Sequence, residues 1–192
     1  MLPGSRPRTK RSAATHQRVT RLIEQGRGDV TFLVLSPATD LAKLIGSYPT
    51  VLKRTREIVF VSGRSPGDRF YAKSGGKEVR DMNYVKDRLA YKAVLPLLYD
   101  KGIKTTFVGF RAAMNTTVPN SFMPVGFAQK AQQAWHRKTR FWFGTRLPPF
   151  DVVAAMAVSP YHNRLRCRYV NIRAGDDLIL SSTQHSYFTF CD

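Results

Sequence analysis

Residues 30–42 read Val30-Thr31-Phe32-Leu33-Val34-Leu35-Ser36-Pro37-Ala38-Thr39-Asp40-Leu41-Ala42. Positions 30–35 form an apolar, β-branched run, the pattern of a strand buried on both faces of a parallel sheet. Ser36-Pro37 breaks the run, and residues 39–45 resume apolar spacing at the helical period, so a strand-loop-helix unit is predicted. The strand signature returns at residues 58–61 (IVFV) and 105–110 (TTFVGF), with a helix predicted over 88–99 and Gly102 just past its end. Pro96 inside that helix is expected to kink it or to mark its last turns. Strands alternating with helices predict right-handed crossovers and an α/β fold, a mostly parallel sheet with flanking helices.

Outward from this centre, residues 127–143 mix Ala, Gln and aromatic residues with Lys130, His136, Arg137, Lys138 and Arg140, predicting an amphipathic helix with one strongly basic side. Residues 169–172, 178–180 and 187–190 read as short C-terminal strands separated by polar turns. On the other side, residues 13–25 place Val19, Leu22 and Ile23 at helical spacing before Gly26 and Gly28. The organisation expected is a basic N-terminal extension over 1–28 and one α/β domain over 29–192.

Charge restricts the function classes. Lys and Arg number 31 against 13 Asp and Glu, a formal charge of +18. Such a field gathers polyanions, and a chain that neutralises phosphates binds RNA, DNA or an anionic membrane. RNA in a ribonucleoprotein is the leading partner. Residues 1–23 hold Arg6, Arg8, Lys10, Arg11, Arg18 and Arg21 among Ser and Thr, with no acid before Glu24, a composition like that of a mitochondrial transit segment. Further along, Arg137, Lys138 and Arg140 adjoin Trp135, Phe141, Trp142 and Phe143, while Arg164, Arg166, Arg168 and Arg173 flank Tyr161 and Tyr169. That interleaving suits phosphate pairing and base stacking, and equally ordinary packing. No apolar run approaches the roughly 20 residues of a spanning helix, so an integral membrane protein is not expected. Cys167 and Cys191 show no metal-like spacing and no sign of a disulfide framework, and a reducing compartment fits.

Ligands gather at the carboxyl ends of strands in open α/β sheets, so the loop at Ser36–Thr39 and the one at Ser62-Gly63 share a candidate edge. The plainer alternative is that Thr39 or Asp40 caps the following helix. His16, His136, His162 and His185 lack metal partners at helical spacing, and Ser36 and Ser62 lack a Gly-x-Ser-x-Gly elbow. Gly75-Gly76-Lys77 lacks the earlier glycine and the following hydroxyl of a phosphate loop.

Residues 36–42 resemble the Gly-Pro-Leu-Thr-Asn-Leu-Ala motif of the inosine-uridine type of nucleoside hydrolase, and residues 57–63 (EIVFVSG) resemble that family's strand ending in Met-Gly-Gly. Asp81-Met82-Asn83-Tyr84, with Asp87 and Ala90 following, is similar to its Glu-Phe-Asn segment, and Phe150-Asp151 is similar to its His-Asp before an apolar helix. The motifs fall in the family's order across residues 29–160, as in a C-terminal portion of the enzyme. The resemblance implies a calcium ion that binds ribose hydroxyls and activates a water against the anomeric carbon. It also implies that Thr39 is a carbonyl ligand, Asp151 a carboxylate ligand, and Asp81 and Asn83 ribose contacts.

The departures alter that expectation. The family's Asp-rich opening, which supplies most calcium ligands and the base, has no counterpart before residue 30. Phe150 stands where the leaving-group histidine is expected, and a phenyl ring donates no proton. Thr39, Asp81, Asn83 and Asp151 are thus read as a vestigial site with no catalytic residue, no metal and no cofactor. Arg6, Arg8, Lys10, Arg11, Arg18, Arg21, Arg137, Lys138, Arg140, Arg164, Arg166 and Arg168 are read as RNA contacts. The expected role is a non-enzymatic subunit of a large RNA-protein assembly, by preference a mitochondrial ribosome, touching ribosomal RNA and neighbouring proteins. The alternative is a shortened calcium-dependent hydrolase completed by another chain.

Overall fold

The computed structural model describes residues 10–26, 29–115, 118–119, 126–144, 146–181 and 187–191. In chain order these form α1 (Lys10–Gln25), β1 (Val30–Val34), α2 (Thr39–Ser47), a 3-10 turn (Pro49–Arg54), β2 (Thr55–Val61), α3 (Met82–Lys86), α4 (Arg88–Asp100), β3 (Lys104–Val108) and α5 (Phe110–Asn115). After them come β4 (Val118–Pro119), α6 (Phe127–Phe143), β5 (Arg146–Leu147), α7 (Phe150–Ala157), a second 3-10 turn (Pro160–Arg164), β6 (Cys167–Ala174), β7 (Leu178–Ser181) and β8 (Phe188–Cys191). The main sheet runs β1-β2-β3-β8-β6-β7; β4 and β5 pair separately. β1, β2, β3 and β8 are parallel, whereas β6 is antiparallel to both β8 and β7.

The period-2 alternation of strand side chains divides the core in two. Ile58, Phe60, Phe107 and Phe190 face α2 and α4, where they meet Leu41, Ile45, Tyr91, Val94 and Leu98. Phe60 and Phe107 stack at 5.2 Å, and Tyr91 lies 5.4 Å from Phe60. Val59, Val61 and Val108 face the other way, onto Ala112 and Ala113 of α5 and Val153 and Ala154 of α7. Small residues on those helices let them lie close to the valine face. The predicted α/β architecture is therefore observed, with helices on both faces of a mostly parallel sheet.

Several expectations are refined. The third strand stops at Val108, because Gly109 lies against the Phe190 ring, where a Cβ would meet Cε2 at 2.4 Å; Phe110 then opens α5. α4 continues through the exposed Pro96 to Asp100, and Gly102, at φ +63°, ends it with Ile103 N–H donating to Leu98 O at 2.9 Å. α1 is docked on the domain: Ile23 is buried with Leu44 and Val51, and Thr20 and His16 are buried beside it.

The cysteine reading is corrected. β6 and β8 run antiparallel in a register that sets Cys167 opposite Cys191, and the two form a disulfide with a Cα–Cα distance of 4.0 Å. Their separation of 24 residues in sequence carries no signal of that pairing, which arises only once β8 has entered the sheet between β3 and β6.

Candidate functional site

At the carboxyl end of β2 the chain turns through Ser62 and Gly63, and Gly63 has φ +93°, a conformation that favours glycine. A side chain there would also collide with Leu180, whose Cδ1 lies 2.2 Å from the position of a Cβ. Asp81 binds this turn. One of its carboxylate oxygens accepts from Ser62 Oγ at 2.6 Å and from Gly63 N at 2.7 Å, and the other accepts from Tyr84 N at 3.1 Å, capping α3. Two residues on, Asn83 Nδ2 donates to Val61 O at 2.8 Å. Burial pushes the Asp81 carboxyl above the usual aspartate range, opposed by the hydrogen bonds from Ser62, Gly63 and Tyr84. The buried Tyr91 phenol is pushed up in the same way, first by burial and then by the charge of Asp81.

Thr39 lies at the end of β1, in the first turn of α2. Its hydroxyl donates to Asp87 Oδ2 at 2.5 Å, while Asp87 Oδ1 accepts from Ala90 N at 3.0 Å and caps α4. The N-cap position of α2 is Ala38, with no side-chain cap, so neither Thr39 nor Asp40 has the capping role weighed from sequence. Asp151 sits exposed in the first turn of α7; partial burial of its carboxyl raises its pKa, and no hydrogen bond or ion pair links it to Thr39, Asp81 or Asn83. The structure thus brings Asp81 and Asn83 together, fastens Thr39 to a different aspartate, and sets Asp151 on α7, which packs against β2, with no hydrogen bond to the other three.

Calcium at these residues would have to compete with contacts already made within the protein. A calcium site needs several oxygen lone pairs free at one point. The Asp81 oxygens already accept N–H and O–H donors; the Thr39 hydroxyl is engaged by Asp87, a bond that does not involve the backbone carbonyl implied as its ligand atom. Among the described residues no cluster of three or more Asp, Glu, His or Cys is placed to hold a metal. Phe150 completes the contrast. Its ring lies 5.2 Å from Phe110 and 5.9 Å from Phe143, Phe110 lies 4.3 Å from Phe70, and Trp135 stacks on Phe143 at 6.1 Å. Phe150 is thus a member of an aromatic cluster built around Phe110 and Phe143, and its ring donates no proton.

The predicted cationic residues fall into separate groups. Arg6 and Arg8 lie outside the described residues, as do the side chains of Lys10 and Arg11 at the start of α1. Arg18 and Arg21 are exposed on α1, and Arg137, Lys138 and Arg140 are exposed on α6. Arg164 lies over the Tyr161 ring at 5.5 Å, and Arg166 is exposed. Arg168 is engaged within the protein, donating to Ser65 Oγ at 2.5 Å and covering the Phe190 ring at 5.0 Å. Sequence reasoning passed over Arg64, which joins Glu78 to Asp177, and also Lys73 and Lys77, because the intervening glycines were weighed only as a phosphate loop. Two lysines flanking Ser-Gly-Gly with no acid between them was the available signal.

The sequence profile of the inosine-uridine preferring nucleoside hydrolases matches residues 2–184, and the chain belongs to that family. The match extends beyond residues 29–160 at both ends. No curated protein sequence matches the chain. Among solved structures, it is similar to an inosine-uridine preferring nucleoside hydrolase from Bacillus anthracis, with 16% identity and a TM-score of 0.55 over 92% of this chain and 59% of that one. A plant nucleoside hydrolase matches with 14% identity and a TM-score of 0.66 over 92% and 61%. An inosine-guanosine nucleoside hydrolase matches with 12% identity and a TM-score of 0.66 over 98% and 67%. The chain spans about three fifths of the length of the first two.

Proposed function

We propose that this member of the nucleoside hydrolase family is a non-catalytic subunit of a large RNA-protein assembly, a mitochondrial ribosome in the preferred case, where it contacts ribosomal RNA through its basic surfaces. The observation that carries the non-catalytic reading is Phe150. At the position matched to the leaving-group histidine, its ring is packed between Phe110 and Phe143, so the site offers no proton to a departing base. The polar residues matched to the ribose and calcium contacts act as fasteners: Asp81 and Asn83 hold the end of β2, and Thr39 ties α2 to α4. The net charge of +18, with Arg18, Arg21, Arg137, Lys138 and Arg140 exposed, supports a polyanionic partner.

The test combines chemistry with adhesion. The isolated chain, given millimolar calcium and either inosine or uridine, is expected to release no ribose. It is also expected to bind ribosomal RNA with an affinity that falls steeply as salt rises. Ribose release, or no RNA binding at physiological salt, overturns the reading. A second reading, a calcium-dependent hydrolase completed by another polypeptide, draws support from the family match over residues 2–184. It requires calcium-dependent ribose release on adding the partner and loss of that release in Asp151→Ala.

A further inference from the structure

α6 contains no acidic residue in its 17 positions, while carrying Lys130, Arg137, Lys138 and Arg140. Asp68 is paired with Arg111 and Glu78 with Arg64, while Asp151, next to the Phe150 ring that packs on Phe143, enters no ion pair among the described residues. Arg137, Lys138, Lys73 and Lys77 enter no ion pair among the described residues.

A helix advances about 100° per residue, so Trp135, Lys138 and Trp142 share one side of α6, with Arg137 and Phe141 adjoining. The flank next to Trp135 is packed: Phe143, on which Trp135 stacks, joins the cluster around Phe110 and Phe150, and His136 Nε2 lies 3.2 Å from Gly144 O. The turn at residues 73–77 is fastened to the helix end, Lys73 N donating to Trp142 O at 3.1 Å and Ser74 N to Phe141 O at 3.2 Å. Gly75 lies against the Phe141 ring, and Lys77 Nζ sits 5.7 Å from the Trp142 centroid. Trp135 and Phe141 nevertheless remain 42% and 44% exposed. Rings partly open to solvent beside cations that enter no ion pair match unpaired nucleotides, whose bases stack while their phosphates pair. A duplex hides its base faces and leaves the rings without a partner.

We propose that α6 and the turn at residues 73–77 bind an unpaired stretch of RNA, its bases stacking on Trp135 and Phe141 and its phosphates paired by Lys73, Lys77, Arg137 and Lys138. This rests on the RNA-bound reading of the chain and gives it a place and a strand state. The surface distinguishes itself from Arg18 and Arg21 of α1, whose exposed neighbours on that helix include no aromatic ring.

The experiment titrates the full chain with a fluorescein-labelled U20 oligonucleotide and with a 20-base-pair RNA duplex. U20 is expected to bind more tightly than the duplex. Because each stacked base contributes about 1–3 kcal/mol, Trp135→Ala with Phe141→Ala should weaken U20 binding at least about 10-fold and leave the duplex nearly unaffected. Trp135→Phe, which keeps a stacking ring above Phe143, should restore most of the loss and guards against a folding defect. Arg137→Ala with Lys138→Ala should weaken both probes and flatten the salt dependence. Duplex binding without U20 preference, or an aromatic variant that binds U20 like wild type, overturns this proposal and leaves the RNA-bound reading standing. Poly-glutamate displacing U20 equally from wild type and the aromatic variant marks an acidic-protein surface and also overturns it. Failure to bind either RNA removes both readings.

Discussion

The end of β2 and the open side of α6 treat charge in opposite ways. At β2, Asp81 and Asn83 spend every described contact on the protein itself, and the nearby Thr39 is locked to Asp87. On α6, Arg137 and Lys138 enter no ion pair among the described residues, and Trp135 and Phe141 remain partly exposed. A polar group that is satisfied internally holds the fold, whereas one left uncompensated by a folded protein is available to something else. The family's chemistry is expected at the first region, yet it is the second that has the properties of an open binding surface.

The comparison breaks if Asp81 works on a substrate rather than on the chain. Asp81→Ala removes the α3 cap and strands the donors of Ser62 and Gly63, so it should cost about 4 kcal/mol in denaturant unfolding while leaving U20 binding at α6 unchanged. An unchanged unfolding midpoint would show that Asp81 is not a fastener. The disulfide gives a somewhat smaller effect of the same kind. Cys167→Ser with Cys191→Ser releases a loop of 24 residues and should cost about 3 kcal/mol, again without moving U20 affinity. Loss of RNA binding in that variant would mean that the two regions are coupled rather than independent.

The smallest effect sharpens the contrast through pH. Burial raises the Asp81 pKa in the folded chain above its unfolded value, so folding takes up a proton in that range. The contribution is fully present below the ordinary aspartate pKa of about 3.9 and fades as pH rises through the raised folded value. Measured against Asp81→Asn, which cannot titrate, wild type should gain relative stability as pH falls from 7 toward 4. A difference that stays flat with pH would place the Asp81 carboxyl in water, outside the hydrogen-bonded turn.

Much of the fold is written in local pattern. Residues 30–42 specify a strand, a turn and a helix by themselves, and 127–143 is recovered to the residue as α6, because its mixture of Ala, Gln and cations has one helical reading. The C-terminal strands were legible as strands but not as neighbours: β8 pairs with β3 across some eighty residues, and nothing in TFVGF or YFTF names that partner. The Cys167–Cys191 link is invisible for the same reason. At the candidate site, residue type and order pointed to Asp81, Asn83, Thr39 and Asp151, but which of them meet is a tertiary matter. Thr39 could not be seen to choose Asp87, 48 positions away, over the end of its own helix. Among the arginines, Arg168 and Arg137 look alike in sequence, and only packing reveals that one covers Phe190 while the other faces solvent.

Gly63 and Gly109 each press against one large side chain from the C-terminal strands, Leu180 and Phe190 respectively. Two notch-and-peg pairs therefore key the sheet together: Gly63 and Leu180 join the end of β2 to the antiparallel β7, and Gly109 and Phe190 join the end of β3 to its parallel neighbour β8. In a combinatorial library, alanine at position 109 should survive only alongside a trimmed residue at 190. At position 63 even a shortened residue 180 should not rescue a substitution, since the backbone there already demands glycine. One joint is open to paired redesign, and the other is closed to it.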